Sequence, residues 1–149
     1  IGGYTEAYKA KLEQTIKEYR LDNDKVQIIG QQPFDKICDA LQKVHFFVFP
    51  SQEKMEGHSN SLTEAMTFGV VPVVSTAGFN ASIVGNKELV VDSIDPMKYA
   101  RVIESVIEKN VWSEYSLAVY RRIKENYTED IVKKNILCAV DELEDGENE

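Results

Sequence analysis

The sequence of 149 residues predicts an α/β fold, a doubly wound parallel sheet with helices on both faces. Nearly continuous apolar runs at residues 44–49 and 70–74 are typical of parallel strands that are buried on both faces. Segments in which apolar residues recur at helical spacing alternate with these runs. Because crossovers between parallel strands are right-handed, this alternation places helices on both sides of the sheet.

Each predicted element carries a local signal. Tyr8, Leu12 and Ile16 share one face of the first helix. Gly69 stands where a helix C-cap is expected, and Pro72 is tolerated only near the start of a strand because it lacks an N–H for the ladder. In chain order we expect a helix at 5–20, a strand at 25–30, a helix at 34–43, a strand at 44–49, a helix at 60–68, a strand at 70–74, a short helix, a strand at 88–91, and helices at 95–109, 112–124 and 128–140.

Composition limits the classes of partner. A net charge of −8 argues against a nucleic-acid partner, because a fold-wide negative field repels phosphate, although a local basic pocket is still compatible with it. No apolar run approaches the roughly 20 residues that span a bilayer. Cys38 and Cys138 lie in helical patterns and are expected to be small buried apolar residues, which fits a reducing, cytoplasmic setting.

Three loops are the expected ligand-binding segments, since ligands of open parallel sheets bind beyond the carboxyl ends of the strands. The loops cover residues 30–33, 50–61 and 75–80, and they are rich in glycine and small polar residues. In the middle loop, Gly57 permits close approach of a ligand, and a helix opens at Ser59, Asn60 and Ser61. The free N–H groups and dipole of that helix favour an anion such as a diphosphate, without a metal.

Two carboxylates, Glu56 and Glu64, flank this helix start, and each has a second interpretation. Ser61 and Glu64 also fit a capping box, in which the glutamate serves only the backbone. Glu56 can be a solvated loop carboxylate, and His58 a surface residue rather than a base. No group of histidines, cysteines or acids has the spacing of a metal site, so none is expected.

Residues 56–74 resemble the signature of family 4 (group 1) glycosyltransferases. The signature contains two glutamates separated by seven residues, then Ala65-Met66, Gly69, Pro72 and paired valines. Residues 47–51 and 75–78 are similar to that family as well, and the resemblance covers most of the chain. It implies the Rossmann-like C-terminal half of a GT-B fold, with residues 1–140 as a donor-binding domain that lacks its first strand and 141–149 as an acidic, disordered tail.

The resemblance implies a retaining transferase that moves a sugar from a nucleotide-diphosphate sugar to a glycan or lipid acceptor. The donor, UDP- or GDP-linked, is a substrate, and no cofactor is implied. The acceptor would be held by an N-terminal domain absent from this chain, so that the fragment alone would be inactive. Surface polysaccharide or glycolipid synthesis at the inner face of the membrane, with peripheral association of the parent protein, is the implied setting.

The resemblance also implies roles for single residues. The counterpart of Glu64 binds the ribose hydroxyls of the donor, and that of Glu56 lies against the donor sugar as the catalytic residue. The implied donor-binding set comprises Gly30 and Gln31 near the nucleobase, Gly57 and His58 in the loop, the diphosphate cradle of Ser59, Asn60, Ser61 and Leu62, and Glu64 at the ribose.

The chain also departs from the family pattern. Phe79 and Ser82 stand where a second glycine and a glutamate are usual, and no arginine and lysine pair for the phosphates precedes Ile1.

Two alternative functions remain: a nucleotide-sugar epimerase of the same architecture and a non-catalytic nucleotide-binding α/β module. A receiver domain would need an aspartate where Pro50 and Ser51 follow the strand, and a dehydrogenase a complete glycine-rich turn. The nucleobase, sugar, linkage and oligomeric state do not follow from the sequence.

Overall fold

The structure is a computed structural model that describes residues 3–21, 25–52 and 57–146, without the side chains of 140–146. The chain divides into two compact units, Ile1–Lys43 and Val44–Glu149. The helices and strands of the described residues are α1 Glu6–Glu18, α2 Phe34–Leu41, β1 Phe46–Phe49, α3 Asn60–Thr67, β2 Val71–Ser75, α4 Asn80–Val84, a 3-10 turn Lys87–Leu89, β3 Val90–Val91, α5 Pro96–Glu108, α6 Trp112–Asn126 and α7 Glu129–Gly146.

The first unit contains α1 and α2. Helix α1 begins at Thr5, whose side-chain oxygen accepts a hydrogen bond of 3.3 Å from the N–H of Tyr8. The strand predicted at residues 25–30 is wrong, because the described part of this segment has no regular secondary structure. Alternating apolar residues favour a strand, but a strand exists only where a neighbouring strand accepts and donates the ladder hydrogen bonds.

The sheet of the second unit has three parallel strands in the order β1-β2-β3. All five residues of the central strand β2 are buried. Val73 packs with Val91 and Tyr99 of α5, whereas Val74 belongs to the cluster of α3 and α6 side chains. Since successive strand residues point to opposite faces, helices cover both faces of the sheet, which confirms the predicted α/β fold class.

Pro72 lies in the middle of this buried sheet without breaking it. The N–H of Val71 donates to the carbonyl of His45 at 3.0 Å, toward the β1 side, so the nitrogen of Pro72 faces the β3 side. Pairing with β3 begins only at Val74. The missing N–H of Pro72 therefore falls where no partner strand runs alongside.

Burial differs from the prediction at several positions. Val48 on β1 is 45% exposed because β1 is an edge strand of this sheet. Cys38 is half-buried and Cys138 exposed, so the prediction of two buried cysteines is wrong. A helical pattern shows that a helix has an apolar face, but it does not show which other segment covers that face.

Helix α7 continues to Gly146, into the segment expected to be a tail, since helical hydrogen bonds are local. None of the helices in the described residues is long and apolar enough to cross a membrane.

Gly69 ends α3 as the sequence predicts. The N–H of Gly69 donates to the carbonyl of Met66 at 2.9 Å, and that of Val70 to the carbonyl of Ala65 at 3.2 Å, which is the Schellman pattern. Gly69 has a φ of +70°, and a Cβ there would lie 2.8 Å from Oγ of Ser116. That same hydroxyl donates to the Gly69 carbonyl at 2.6 Å and so attaches α6 to the end of α3.

Arg122 connects α6 to α4. Its Nε donates to the carbonyl of Ile83 at 2.7 Å and its Nη2 to the carbonyl of Ser82 at 2.6 Å. These carbonyls lie at the C-terminal end of α4, where the helix leaves acceptors unpaired and its dipole favours a cation. Gly85, with a φ of +69°, leaves room for the guanidinium, since a Cβ there would come within 2.5 Å of its Cζ.

Gly69→Ala should destabilise the chain by about 1–2 kcal/mol, because alanine is strained in the left-handed region and its Cβ would displace the Ser116 hydroxyl. The free energy of unfolding in urea, followed by circular dichroism, measures the effect. Gly57→Ala is the matched control, since a Cβ at Gly57 meets nothing within 4 Å. Equal stability of the two variants would contradict the assignment of Gly69.

Arg122→Met should lower the free energy of unfolding by about 1–3 kcal/mol, because two hydrogen bonds from a charged donor are lost and two carbonyls lose their partner. Arg121→Met provides the control, as Arg121 is an exposed neighbour on the same helix. If both substitutions had the same small effect, the hydrogen bonds from Arg122 to α4 would contribute nothing to the free energy of unfolding.

Candidate functional site

Helix α3 is anchored between the sheet and α6. It contacts β1, β2 and α6, and Leu62, Ala65 and Met66 are fully buried on its inner side. The segment from Phe49 to α3 leaves the carboxyl end of β1, so the start of α3 lies at the edge of the sheet where ligands of parallel sheets bind. The apolar face of the helix fixes its position and leaves its first turn at that edge.

The first turn of α3 has uncapped N–H groups. Ser59 is the N-cap residue, yet its side chain makes no capping hydrogen bond, and the first helical bond runs from Thr63 N to Ser59 O at 3.2 Å. The N–H groups of Asn60, Ser61 and Leu62 therefore have no acceptor among the described residues. Together with the helix dipole they form a positive site for an anionic oxygen.

The capping-box interpretation of Glu64 is wrong. That motif requires Ser61 at the N-cap and Glu64 three residues later, but the cap is Ser59, so Ser61 already lies inside the helix. Glu64 is half-buried and forms no hydrogen bond or ion pair with the part of the chain that the structure describes. It lies three residues after Ser61 and four after Asn60, which places all three on one face of α3.

The predicted cradle residues differ in what they can offer a ligand. The side chain of Leu62 has no exposed surface, and Ser59 is 7% exposed, so these two residues can offer a ligand only their backbone groups. Asn60 and Ser61 are exposed and can present both backbone and side chain. The site is thus mainly a backbone site, with side chains contributed by Asn60, Ser61 and Glu64.

His58 and Gly57 precede the helix. The ring of His58 is exposed, and its centroid lies 5.0 Å from that of Tyr127, the residue that follows α6. Tyr127 is therefore a neighbour of the candidate site that sequence reasoning missed, because no local pattern links positions so far apart. A Cβ at Gly57 would meet nothing, so packing within the described residues does not require glycine there.

Two predicted parts of the site lie elsewhere. Glu56 falls outside the described residues, so its assignment stays a prediction. Gly30 and Gln31 belong to the first unit. Gly30 has a φ of +75° and leaves room for the Tyr4 hydroxyl, which would lie 3.1 Å from a Cβ at that position. The side chain of Gln32 donates to the carbonyls of Ile29 and Gln31, which stabilises this turn.

A hydrogen bond joins the loops that follow β1 and β2. The hydroxyl of Ser75, at the end of β2, is buried and donates to the carbonyl of Ser51 at 2.6 Å. The N–H of Ala77 donates to the same hydroxyl at 3.4 Å. Ser51, just after β1, is thereby held close to the end of β2, a contact between residues 24 positions apart that no sequence pattern predicts.

Comparison with known proteins identifies a family that matches most of the chain. The profile of the family described as Glycosyl transferases group 1 matches residues 1–130 of the 149. No curated protein and no solved structure matches the chain significantly. Because the profile extends over most of the chain, including the strands, α3 and the loops between them, this protein belongs to the group 1 glycosyl transferases.

Proposed function

We propose that this chain forms the donor-binding domain of a retaining glycosyltransferase, which takes a sugar from a nucleotide-diphosphate donor. Family membership supports transfer of a glycosyl group. The observation that carries the finer proposal is the start of α3, where three N–H groups and the nearby carboxylate of Glu64 have no partner among the described residues. A nucleotide-diphosphate sugar needs both features, because its diphosphate requires an anion site and its hydroxyls require a hydrogen-bond acceptor.

In this proposal the diphosphate lies against the N–H groups of Asn60, Ser61 and Leu62. Negative charge builds on the diphosphate as its bond to the sugar breaks. N–H donors that are already oriented stabilise that charge most, because they need not reorganise during the reaction. The buried side chain of Leu62 holds its own N–H in place, so packing supports the orientation of the donors.

Glu64 is proposed to accept hydrogen bonds from the ribose hydroxyls of the donor. It lies about one turn beyond the proposed phosphate position and on the same face of α3 as Asn60 and Ser61. An ionised carboxylate accepts two hydroxyl protons at once, which suits the neighbouring hydroxyls of a ribose. On the resemblance alone, the backbone near Gly30 and Gln31 is proposed to bind the nucleobase.

Glu56 is proposed as the catalytic residue beside the donor sugar, where a carboxylate favours positive character at the anomeric carbon. Its role rests on its position in the motif, eight residues before Glu64 with a glycine following it. The acceptor is proposed to be a glycan or a lipid, and UDP or GDP the nucleotide. The enzyme is proposed to take part in the synthesis of a surface polysaccharide or glycolipid at the inner face of the membrane.

Glu64→Ala should weaken nucleotide binding by about 10- to 100-fold, which corresponds to the loss of hydrogen bonds to a charged acceptor. Isothermal titration calorimetry with UDP, GDP and ADP and their sugar conjugates, without added metal, measures the dissociation constants. The nucleotide that binds the wild-type chain most tightly identifies the base.

Glu114→Ala is the matched control, since Glu114 is an exposed carboxylate in the first turn of α6 and should leave binding unchanged. Circular dichroism verifies that each variant is folded. A folded Glu64→Ala variant that binds nucleotide as tightly as the wild type would rule out the assignment of Glu64. If the wild-type chain bound none of the nucleotides, the donor-binding proposal itself would fail.

A further inference from the structure

A second candidate site lies in the same unit, in what we call the strand-end cleft. This cleft has a volume of about 440 Å³ and is lined by residues that follow the carboxyl ends of all three strands. Gln52 comes after β1, Thr76 after β2, and Asp92, Ser93 and Ile94 after β3. The residues of α3 proposed above to bind the nucleotide do not line it.

The walls of the strand-end cleft are held by hydrogen bonds. The bond from Ser75 to the Ser51 carbonyl fixes the β1 and β2 sides. On the β3 side, Nζ of Lys98 donates to Oδ1 of Asp92 at 2.7 Å, and the side chain of Asp95 caps α5 by accepting from Met97 N at 2.9 Å. The cleft is therefore formed before any ligand arrives, which lowers the entropy lost on binding.

The polar groups of the strand-end cleft match a neutral ligand with several hydroxyls. The carboxamide of Gln52 and the hydroxyl of Thr76 are exposed, and neither side chain has a partner among the residues that the structure describes. Both groups can donate and accept. The carboxylate of Asp92 accepts one bond from Lys98 and has further lone pairs for hydroxyl protons.

The charge and the apolar surface of the cleft further restrict the class of ligand that it can bind. The hydrogen bond from Lys98 holds the pKa of Asp92 below its usual value, and the pair of opposite charges carries no net charge, which suits a neutral ligand. Ile94, which lines the cleft, is 57% exposed and supplies apolar surface. A sugar ring combines hydroxyl edges with an apolar C–H face, and both kinds of surface are present.

We propose that the strand-end cleft binds a sugar ring, whose hydroxyls hydrogen-bond to Gln52, Thr76 and Asp92. The inference rests on the proposed function, since it adds a sugar subsite to a glycosyl transferase whose nucleotide is bound at α3. The ring is either the sugar of the donor or a sugar of the acceptor, and the same hydroxyl chemistry serves both. These three side chains would then determine which sugar the enzyme selects.

The test is an NMR titration of the ¹⁵N-labelled chain with three sets of probes. The probes are bare UDP, GDP and ADP, their glucose, mannose and N-acetylglucosamine conjugates, and the methyl glycosides of the same sugars. The backbone resonances of Gln52, Thr76 and Asp92 report the strand-end cleft, and that of Ser61 reports the start of α3. Shifts of the cleft resonances with nucleotide sugars alone identify the donor sugar, and shifts with methyl glycosides identify an acceptor sugar; either outcome supports the inference.

Asp92→Asn and Thr76→Val should each weaken binding of the active sugar probe by about tenfold, the effect of about one hydrogen bond, and leave bare nucleotide binding unchanged. Glu88→Gln is the matched control. Glu88 also pairs with a lysine, Lys109 at 3.4 Å, but precedes β3 instead of following it. This control should bind every probe as the wild type does.

The outcomes separate the inference from the proposed function. If nucleotides shift Ser61 while no sugar probe shifts the cleft resonances, the inference is overturned and the proposed function stands. Unchanged sugar affinity in both Asp92→Asn and Thr76→Val overturns it as well. If methyl glycosides shift the cleft but no nucleotide binds, the proposed function fails and the sugar site remains; if no probe binds, both fail.

Discussion

The structure of the second unit depends on the parallel pairing of β2 with β1 on one side and β3 on the other. Because all three strands run in the same direction, their carboxyl ends meet at one edge of the sheet. The start of α3 and the strand-end cleft both lie at that edge. The full burial of β2, with α5 on one face and α3 and α6 on the other, makes this edge a rigid support for loops that are otherwise rich in small polar residues.

One side of helix α3 packs in the core, whereas its first turn is available to a ligand. Leu62, Ala65 and Met66 secure the helix in the core, and the Schellman end at Gly69, held by Ser116, fixes its far end. The first turn lacks the side-chain cap that Ser59 could supply, which forgoes about 0.5–2 kcal/mol of helix stability. A helix start that is firmly held, and whose first N–H groups lack acceptors within the described part of the chain, is suited to a ligand that supplies them.

The sequence predicted the fold class and most elements because their signals are local. Apolar periodicity and a glycine C-cap act within one or two turns, and the motif around α3 was specific enough to indicate the family. The failures have a common cause: they concern contacts with distant residues. The irregular segment at 25–30 and the exposed Cys138 both depend on what neighbours each segment, which periodicity does not report.

For this protein, the sequence by itself determined the alternation of strands and helices, the motif of Glu56 and Glu64, and the membership of a glycosyl transferase family. Only the tertiary structure decided that Ser59, not Ser61, occupies the N-cap position of α3, so that Glu64 is not part of a capping box. It also decided that Ser51 and Ser75 join two loops and that Gln52, Thr76 and Asp92 line one cleft. The physical reason is that pairing of parallel strands brings together loops far apart in the chain, and side-chain chemistry along the sequence does not encode that proximity locally.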